Sequence, residues 1–367
     1  MINHRSVSLA LGLLIATSLH SRAQIIIGWA GPETGPAASL GDQSLNGTKQ
    51  AIADLNAAGG ILGQKVELDS EDDQGDPKQA VSVANRFVAA GIKFVVGHSH
   101  SANSIAASDV YADAGILEIS PMSTNPKYTD RGLWNTFRTC GRDDQQAIVA
   151  GQYIAKNYKG KKIYIVYEKA VYGIGLADEV KKAINSNGVL EVGFEGITTG
   201  EKDFAAVVTK IKSMDADVVY YAGNYAEAGL LVRQMREQGD TALMIAGDGA
   251  FSSEFSAIAG PGGDGTLMTA GPDPRQNPDA KDIVDRMAAN NITTEGFTLY
   301  AYSAVQVIAQ AISAVGSDDP EKVAEKIKSG MTFNTVMGRI NFDMKGDLTR
   351  LGYVIYSIKG GKFSQIE

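Results

Sequence analysis

Cysteine occurs once in the 367 residues, at Cys140, and histidine only four times. A chain with a single cysteine has no internal disulfide, so its core alone must hold the fold. His4 and His20 fall near the N-terminus, which leaves His98 and His100 for the rest of the chain. An H-x-H pair with no third ligand placed by any motif falls short of a zinc site and reads as loop histidines beside a ligand. Lysine and arginine form no block, and they number 34 against 42 acids. That balance argues against nucleic acid or anionic lipid as a partner. The sequence contains neither G-x-S-x-G nor H-E-x-x-H. Gly173 and Gly175 are followed by Leu176-Ala177-Asp178 with no third glycine in place, so a dinucleotide fingerprint fails. Carboxylates are plentiful, but no pair is placed by spacing for acid–base work. Metal-free and triad-free, the chain points to binding rather than catalysis, with no cofactor.

The N-terminus reads as an export signal. His4 and Arg5 precede an apolar run over residues 7–19, and Ser21-Arg22-Ala23 supplies a small-x-small cleavage site. The run is too short for an ordinary membrane span, and no cysteine follows it to carry a lipid. The mature protein is expected to begin near Gln24 and to be soluble outside the cytoplasm. Without the leader's two arginines, 32 basic residues stand against 42 acids, a net charge of −10. About 344 residues remain, enough for two domains.

Short apolar runs alternate with amphipathic segments of helical length, the pattern of parallel sheets covered by helices on both faces. Strands are expected at 25–30, 65–70, 93–97 and 116–119, then in a second series at 162–167, 190–195, 218–222 and 243–246. Helices are expected at 43–57, 77–90, 145–157, 176–186, 204–213 and 226–238. Glycines follow several of them, where C-caps belong. Two more helices, near 280–289 and 298–315, and a strand near 353–358 close the chain. Two βα series of similar size imply two similar lobes.

Residues 93–104, K-F-V-V-G-H-S-H-S-A-N-S, are the most informative stretch. They read as a buried strand, a glycine turn, a loop of small hydroxyl residues and a helix start. Strand ends of this kind bind ligands in open α/β sheets. The helix start offers unpaired N–H groups and partial positive charge, which suits a carboxylate. Ser101 also reads as an ordinary N-cap, a role compatible with an anion loop.

Further motifs run the length of the chain. They are Gly35-Pro36 with Gly41-Asp42-Gln43, Asp73 with Asp76-Pro77-Lys78-Gln79-Ala80, Gly97-His98, and Ser120-Pro121 with Thr124. Tyr172-Gly173-x-Gly175-Leu176, Gly200-Glu201-Lys202-Asp203-Phe204, Thr335-Val336-Met337-Gly338 and Lys345-Gly346-Asp347-Leu348 continue the series. With these, the chain resembles the periplasmic leucine/isoleucine/valine-binding proteins of ABC importers, which have the type I periplasmic binding fold. The resemblance implies two doubly wound, Rossmann-like α/β lobes joined by a three-crossover hinge, near residues 142, 270 and 350. Lobe 1 would comprise 24–142 with 271–350, and lobe 2 would comprise 143–270 with 351–367. Residues 1–23 would be the signal peptide.

The resemblance also assigns a site for a zwitterion, whose two charged ends must each be matched when it leaves water. Ser101 and Thr124 would clamp the carboxylate, with backbone N–H groups around His100, Met122, Ser123 and Thr124. Asp248 would take the ammonium where the family places a glutamate. Tyr172 and Phe297 match cleft aromatics. Leu40 and Asn224 replace tyrosines, and Tyr225 adjoins the second. Gly75 and His100 occupy the positions of a family disulfide. The implied function is the solute-binding component of an ABC importer, not an enzyme. Branched-chain or other α-amino acids would bind in the interlobe cleft. The implied partner is an inner-membrane permease, and the protein would be a periplasmic monomer. An amide, urea or aromatic acid as ligand, or a role as a ligand-sensing module, are the rival readings.

Overall fold

The computed structural model describes residues 24–350 and 352–366. The expected signal peptide and its cleavage site lie outside the described residues. The first sheet is built from β1 (Ile25–Gly31), β2 (Val66–Asp72), β3 (Phe94–Gly97), β4 (Leu117–Ser120) and β5 (Thr136–Arg138). Its strands are parallel throughout and lie in the order β2-β1-β3-β4-β5. The second sheet begins with β6 (Ile163–Glu168), β7 (Glu191–Ile197), β8 (Val218–Ala222), β9 (Leu243–Ala246) and β10 (Leu267–Ala270). A two-stranded ribbon, β11 (Phe333–Thr335) and β12 (Gly338–Ile340), intervenes before β13 (Val354–Lys359) and β14 (Lys362–Gln365). The second sheet has the order β14-β13-β10-β9-β8-β6-β7, with β13 antiparallel to β10. Every residue of β3 and β8 is buried, as expected of strands covered on both faces.

Strand order reverses between β1 and β3 in the first sheet and between β6 and β8 in the second. Carboxyl ends at such reversals are where open sheets leave a crevice. One crevice therefore opens after Gly97 and the other after Glu168 and Ala222.

The chain passes between the sheets three times. It leaves β5 for the helix Asp143–Asn157, which packs on helix Val171–Ser186 beside the second sheet. After β10 it returns: helix Thr298–Val315 lies against helix Ala38–Ala57 and buries apolar residues around the first sheet. It crosses finally between β12 and β13. Helix Thr298–Val315 is long and apolar enough to span a bilayer, but it is a core helix, mostly buried by its neighbours.

Two of these passages are pinned together electrostatically. Arg138 is fully buried, and its Nε lies 2.7 Å from Asp347 Oδ1. Arg142 Nη1 lies 2.7 Å from Asp347 Oδ2. Arg142 also pairs with Asp130 at 3.1 Å, and Lys345 reaches the same Asp130 at 2.7 Å. A buried guanidinium is tolerable only with such matched partners.

Candidate functional site

The hydroxyl loop follows β3 directly. His100 is the extended N-cap residue of helix Ser101–Asp113 and no side chain caps the helix. Ser101 is thus the first helical residue rather than the cap, and its Oγ accepts the Asn125 N–H at 3.3 Å. Among the described residues the buried Ser99 hydroxyl and His100 Nδ1 have no hydrogen-bond partner. An uncapped helix start with unpaired polar groups beside it is a place for an anion.

Asp248 faces this loop from the end of β9. It is buried, and its carboxylate accepts the Tyr172 hydroxyl at 2.9 Å and the Tyr353 hydroxyl at 3.2 Å. Burial raises its pKa, against the pull of those hydrogen bonds and of Gln146. Asp143, fully buried beside Thr124, is pushed up strongly by burial and then by the charge of Asp248. Two buried acids thus stand close together at this end of the cleft, each resisting ionisation. Gly249 is required here: a Cβ at this position would sit 2.7 Å from both the Tyr172 ring and the Gly223 carbonyl oxygen.

Between the two lies a small cavity of about 30 Å³. Its walls bring together Leu40, His100, Ser101, Met122, Tyr172, Asn224, Asp248 and Phe297. Ser99 and Gly249 complete the lining. A second space, also about 30 Å³, shares Asp248 and Phe297 with the first and has no part of the hydroxyl loop. The apolar walls touch across the cleft, with Leu40, Met122 and Phe297 in one buried cluster with Tyr221 and Tyr225. Tyr225 donates to the Pro36 carbonyl at 2.9 Å, and Asn125 Nδ2 to the Val171 carbonyl at 3.1 Å, so the cleft is shut.

The chain matches the family described as "Periplasmic binding protein" over residues 24–362. It belongs to that family. It is 50% identical to "Leu/Ile/Val-binding protein homolog 1" of Brucella melitensis, over 98% of this chain and 97% of the relative. The crystal structure of a leucine binding protein, LivK, from Thermotoga maritima superposes with a TM-score of 0.87 at 28% identity, covering 94% of this chain and 98% of the other. LivJ of Streptococcus pneumoniae in complex with isoleucine gives 0.84 at 26%, covering 93% and 97%. The fold of this periplasmic binding protein is the type I fold that the sequence motifs imply.

Three of the expected site groups stand apart from the cavity wall. Ser123 is fully buried, its hydroxyl paired with Ser104 Oγ at 2.7 Å and turned to the His98 carbonyl. Thr124 lies behind the wall beside Asp143, and its carbonyl accepts the Asp143 N–H at 2.9 Å. Tyr225 spends its hydroxyl on closing the mouth. The Met122 N–H, expected to face a carboxylate, points instead to the Ser120 hydroxyl at 3.2 Å.

His98 is not a loop histidine beside a ligand. It is fully buried, with Nδ1 2.7 Å from Asp73 and Nε2 3.0 Å from the Tyr111 hydroxyl. Burial acts to raise the Asp73 pKa, yet His98 and its other donors bring it below the usual value. This chain of side chains stiffens the base of the loop. Gly75 and His100 do lie side by side, since a Cβ on Gly75 would stand 3.3 Å from the His100 ring.

Sequence reasoning missed Tyr353, Gln146, Asp143 and Glu168. Their signals are slight: Asp143 and Gln146 belong to the polar run that opens a helix, Glu168 ends β6 and Tyr353 precedes β13, and only the fold gives them their partners.

Proposed function

We propose that this periplasmic binding protein is the solute-binding component of an ABC importer and carries α-amino acids in the cavity described above. The observation that supports this most directly is the opposition of Asp248 to the uncapped start of helix Ser101–Asp113. A carboxylate held by two tyrosines attracts an ammonium and repels an anion that lacks one. The helix start and the free Ser99 hydroxyl attract a carboxylate. An α-amino acid supplies both ends, and the apolar wall of Leu40, Met122 and Phe297 receives its side chain.

Lobe 1 comprises residues 24–142 with 271–350, and lobe 2 comprises 143–270 with 351–367. The ligand lands on the Ser101 side, and the Asp248 side closes over it by hinge motion. Closure is driven by contacts made only in the shut state, because a ligand shifts an equilibrium only by its differential affinity. The Tyr225–Pro36 and Asn125–Val171 bonds are contacts of that kind. The protein acts as a monomer in the periplasm, after removal of residues 1–23, and delivers its ligand to an inner-membrane permease.

A thermal-shift screen against the twenty common amino acids tests this reading. A ligand bound only by the native state raises the apparent stability. A rise with at least one amino acid is expected; no response to any of them refutes the assignment.

A further inference from the structure

Asn224 is the N-cap residue of helix Tyr225–Glu237, with extended backbone at φ −90° and ψ 168°, yet its side chain caps nothing. An N-cap asparagine ordinarily turns its side-chain oxygen onto an N–H of its own first turn. Here Nδ2 donates to Glu168 Oε2 at 3.1 Å, while the backbone N–H donates to Glu168 Oε1 at 2.6 Å. The Asn224 Oδ1 has no hydrogen-bond partner among the described residues and is not among the sealed buried atoms. Asn224 lines the cavity.

Glu168 is arranged to hold the amide in this orientation. It ends β6 at the strand-order reversal and is buried. It also accepts the Tyr221 hydroxyl at 2.9 Å and the Thr199 hydroxyl at 3.4 Å. A carboxylate accepts and does not donate, so the amide turns its NH₂ inward. The Glu227 carboxyl stands behind Glu168 and accepts the Gly200 N–H at 2.6 Å. Burial, then the charge of Glu227, raises Glu168 to about 7.

We propose that Asn224, positioned by Glu168, presents its side-chain carbonyl to the cleft as a fixed acceptor, so that the preferred ligands are α-amino acids whose side chain carries a hydrogen-bond donor. Apart from the groups assigned to the ligand's charged ends, the wall offers the apolar Leu40, Met122 and Phe297. The favoured side chain is an aliphatic body with one donor. A purely aliphatic side chain covers the carbonyl and leaves it without water or partner, which is penalised. The proposal rests on the amino acid reading above.

The test is calorimetry with two near-isosteric pairs, threonine against valine and asparagine against leucine. It uses the mature protein, Asn224→Leu and Glu168→Gln. The donor-bearing member of at least one pair is expected to bind about tenfold more tightly in the unaltered protein. Asn224→Leu should abolish that ratio. Glu168→Gln should change the ratio as well, because a glutamine NH₂ beside Asn224 releases or reverses the amide; a merely structural role would weaken both members of a pair equally. Valine and leucine binding as tightly as threonine and asparagine overturns the proposal and leaves the amino acid reading intact, as does a ratio that survives Asn224→Leu. Absence of binding by all four, together with a null amino acid screen, overturns both.

Discussion

Tyr172 donates its hydroxyl to Asp248 at 2.9 Å and accepts the Gly249 N–H through the same oxygen at 2.9 Å. One phenol thus fixes both the acid and the turn that carries it. Tyr353, from the segment entering β13, holds the other carboxylate oxygen. The acid that faces the cleft is therefore set by residues from three separate parts of the chain.

The first prediction concerns that acid. Asp248→Ala should cost about 3–5 kcal/mol in amino acid affinity, the range seen when one partner of a buried ion pair is removed. Tyr172→Phe removes one hydrogen bond to a charged group and should cost about 1.5–3 kcal/mol. Affinity of the unaltered protein should fall on acidification, because burial raises Asp248 and the neutral carboxyl no longer attracts an ammonium. Calorimetry over a pH series checks all three, and unchanged affinity in Asp248→Ala contradicts the role.

Stability should depend on pH through Glu168. Its folded-state value, about 7, lies above its ordinary value of 4.5. Its contribution is therefore present in full below about 4.5 and lost as pH rises through about 7. A shift of this size corresponds to roughly 3 kcal/mol. Glu227→Gln gives Glu168 a donor in place of an acid while keeping an acceptor for Gly200. In urea unfolding that variant should show a weaker pH dependence, the part due to burial remaining, and be more stable than the unaltered protein at pH 8. An unchanged profile contradicts the coupling.

Asp347 should be essential to folding rather than to recognition. It neutralises the buried Arg138 and also binds Arg142. Asp347→Asn should lower the unfolding free energy by about 3–5 kcal/mol, as breaking a buried pair does. Chemical denaturation checks it, and a loss under about 1 kcal/mol, typical of an exposed pair, contradicts it.

Closure should be slowed in its reversal by Tyr225. Tyr225→Phe deletes the bond to Pro36 without altering the cavity wall, so ligand dissociation should quicken by about fivefold for a net hydrogen bond near 1 kcal/mol. Stopped-flow displacement measures it. An unchanged rate would mean that the bond does not distinguish shut from open.

Much of the fold was legible because parallel strands and their covering helices leave strong patterns. The expected helix 77–90 coincides with Pro77–Ala90, where Asp76 caps the start and a left-handed Gly91 ends it. Strands β8 and β9 coincide with their apolar runs. What escaped were β5, β11 and β12, three residues each, and β10 and β14, four residues each, all too short to show periodicity. Helix Pro320–Lys328 was also missed, although Asp319 caps it and Pro320 opens it. At the site, the hydroxyl loop was legible as a strand-to-helix turn. Asp248 carried no signal beyond a turn before Gly249, and its place came from the family resemblance. Glu168 and Tyr353 were invisible because their importance lies in what they orient, and that depends on chain segments far apart in sequence.

The most direct test is calorimetry with one amino acid that binds and its two blocked forms, N-acetylated and carboxamide. The amino acid should bind one per chain. Both blocked forms should lose at least a hundredfold, since each leaves one buried charged end of the clamp unpaired. A blocked form that binds as tightly as the free amino acid would contradict the zwitterion clamp of Asp248 and the Ser101 loop.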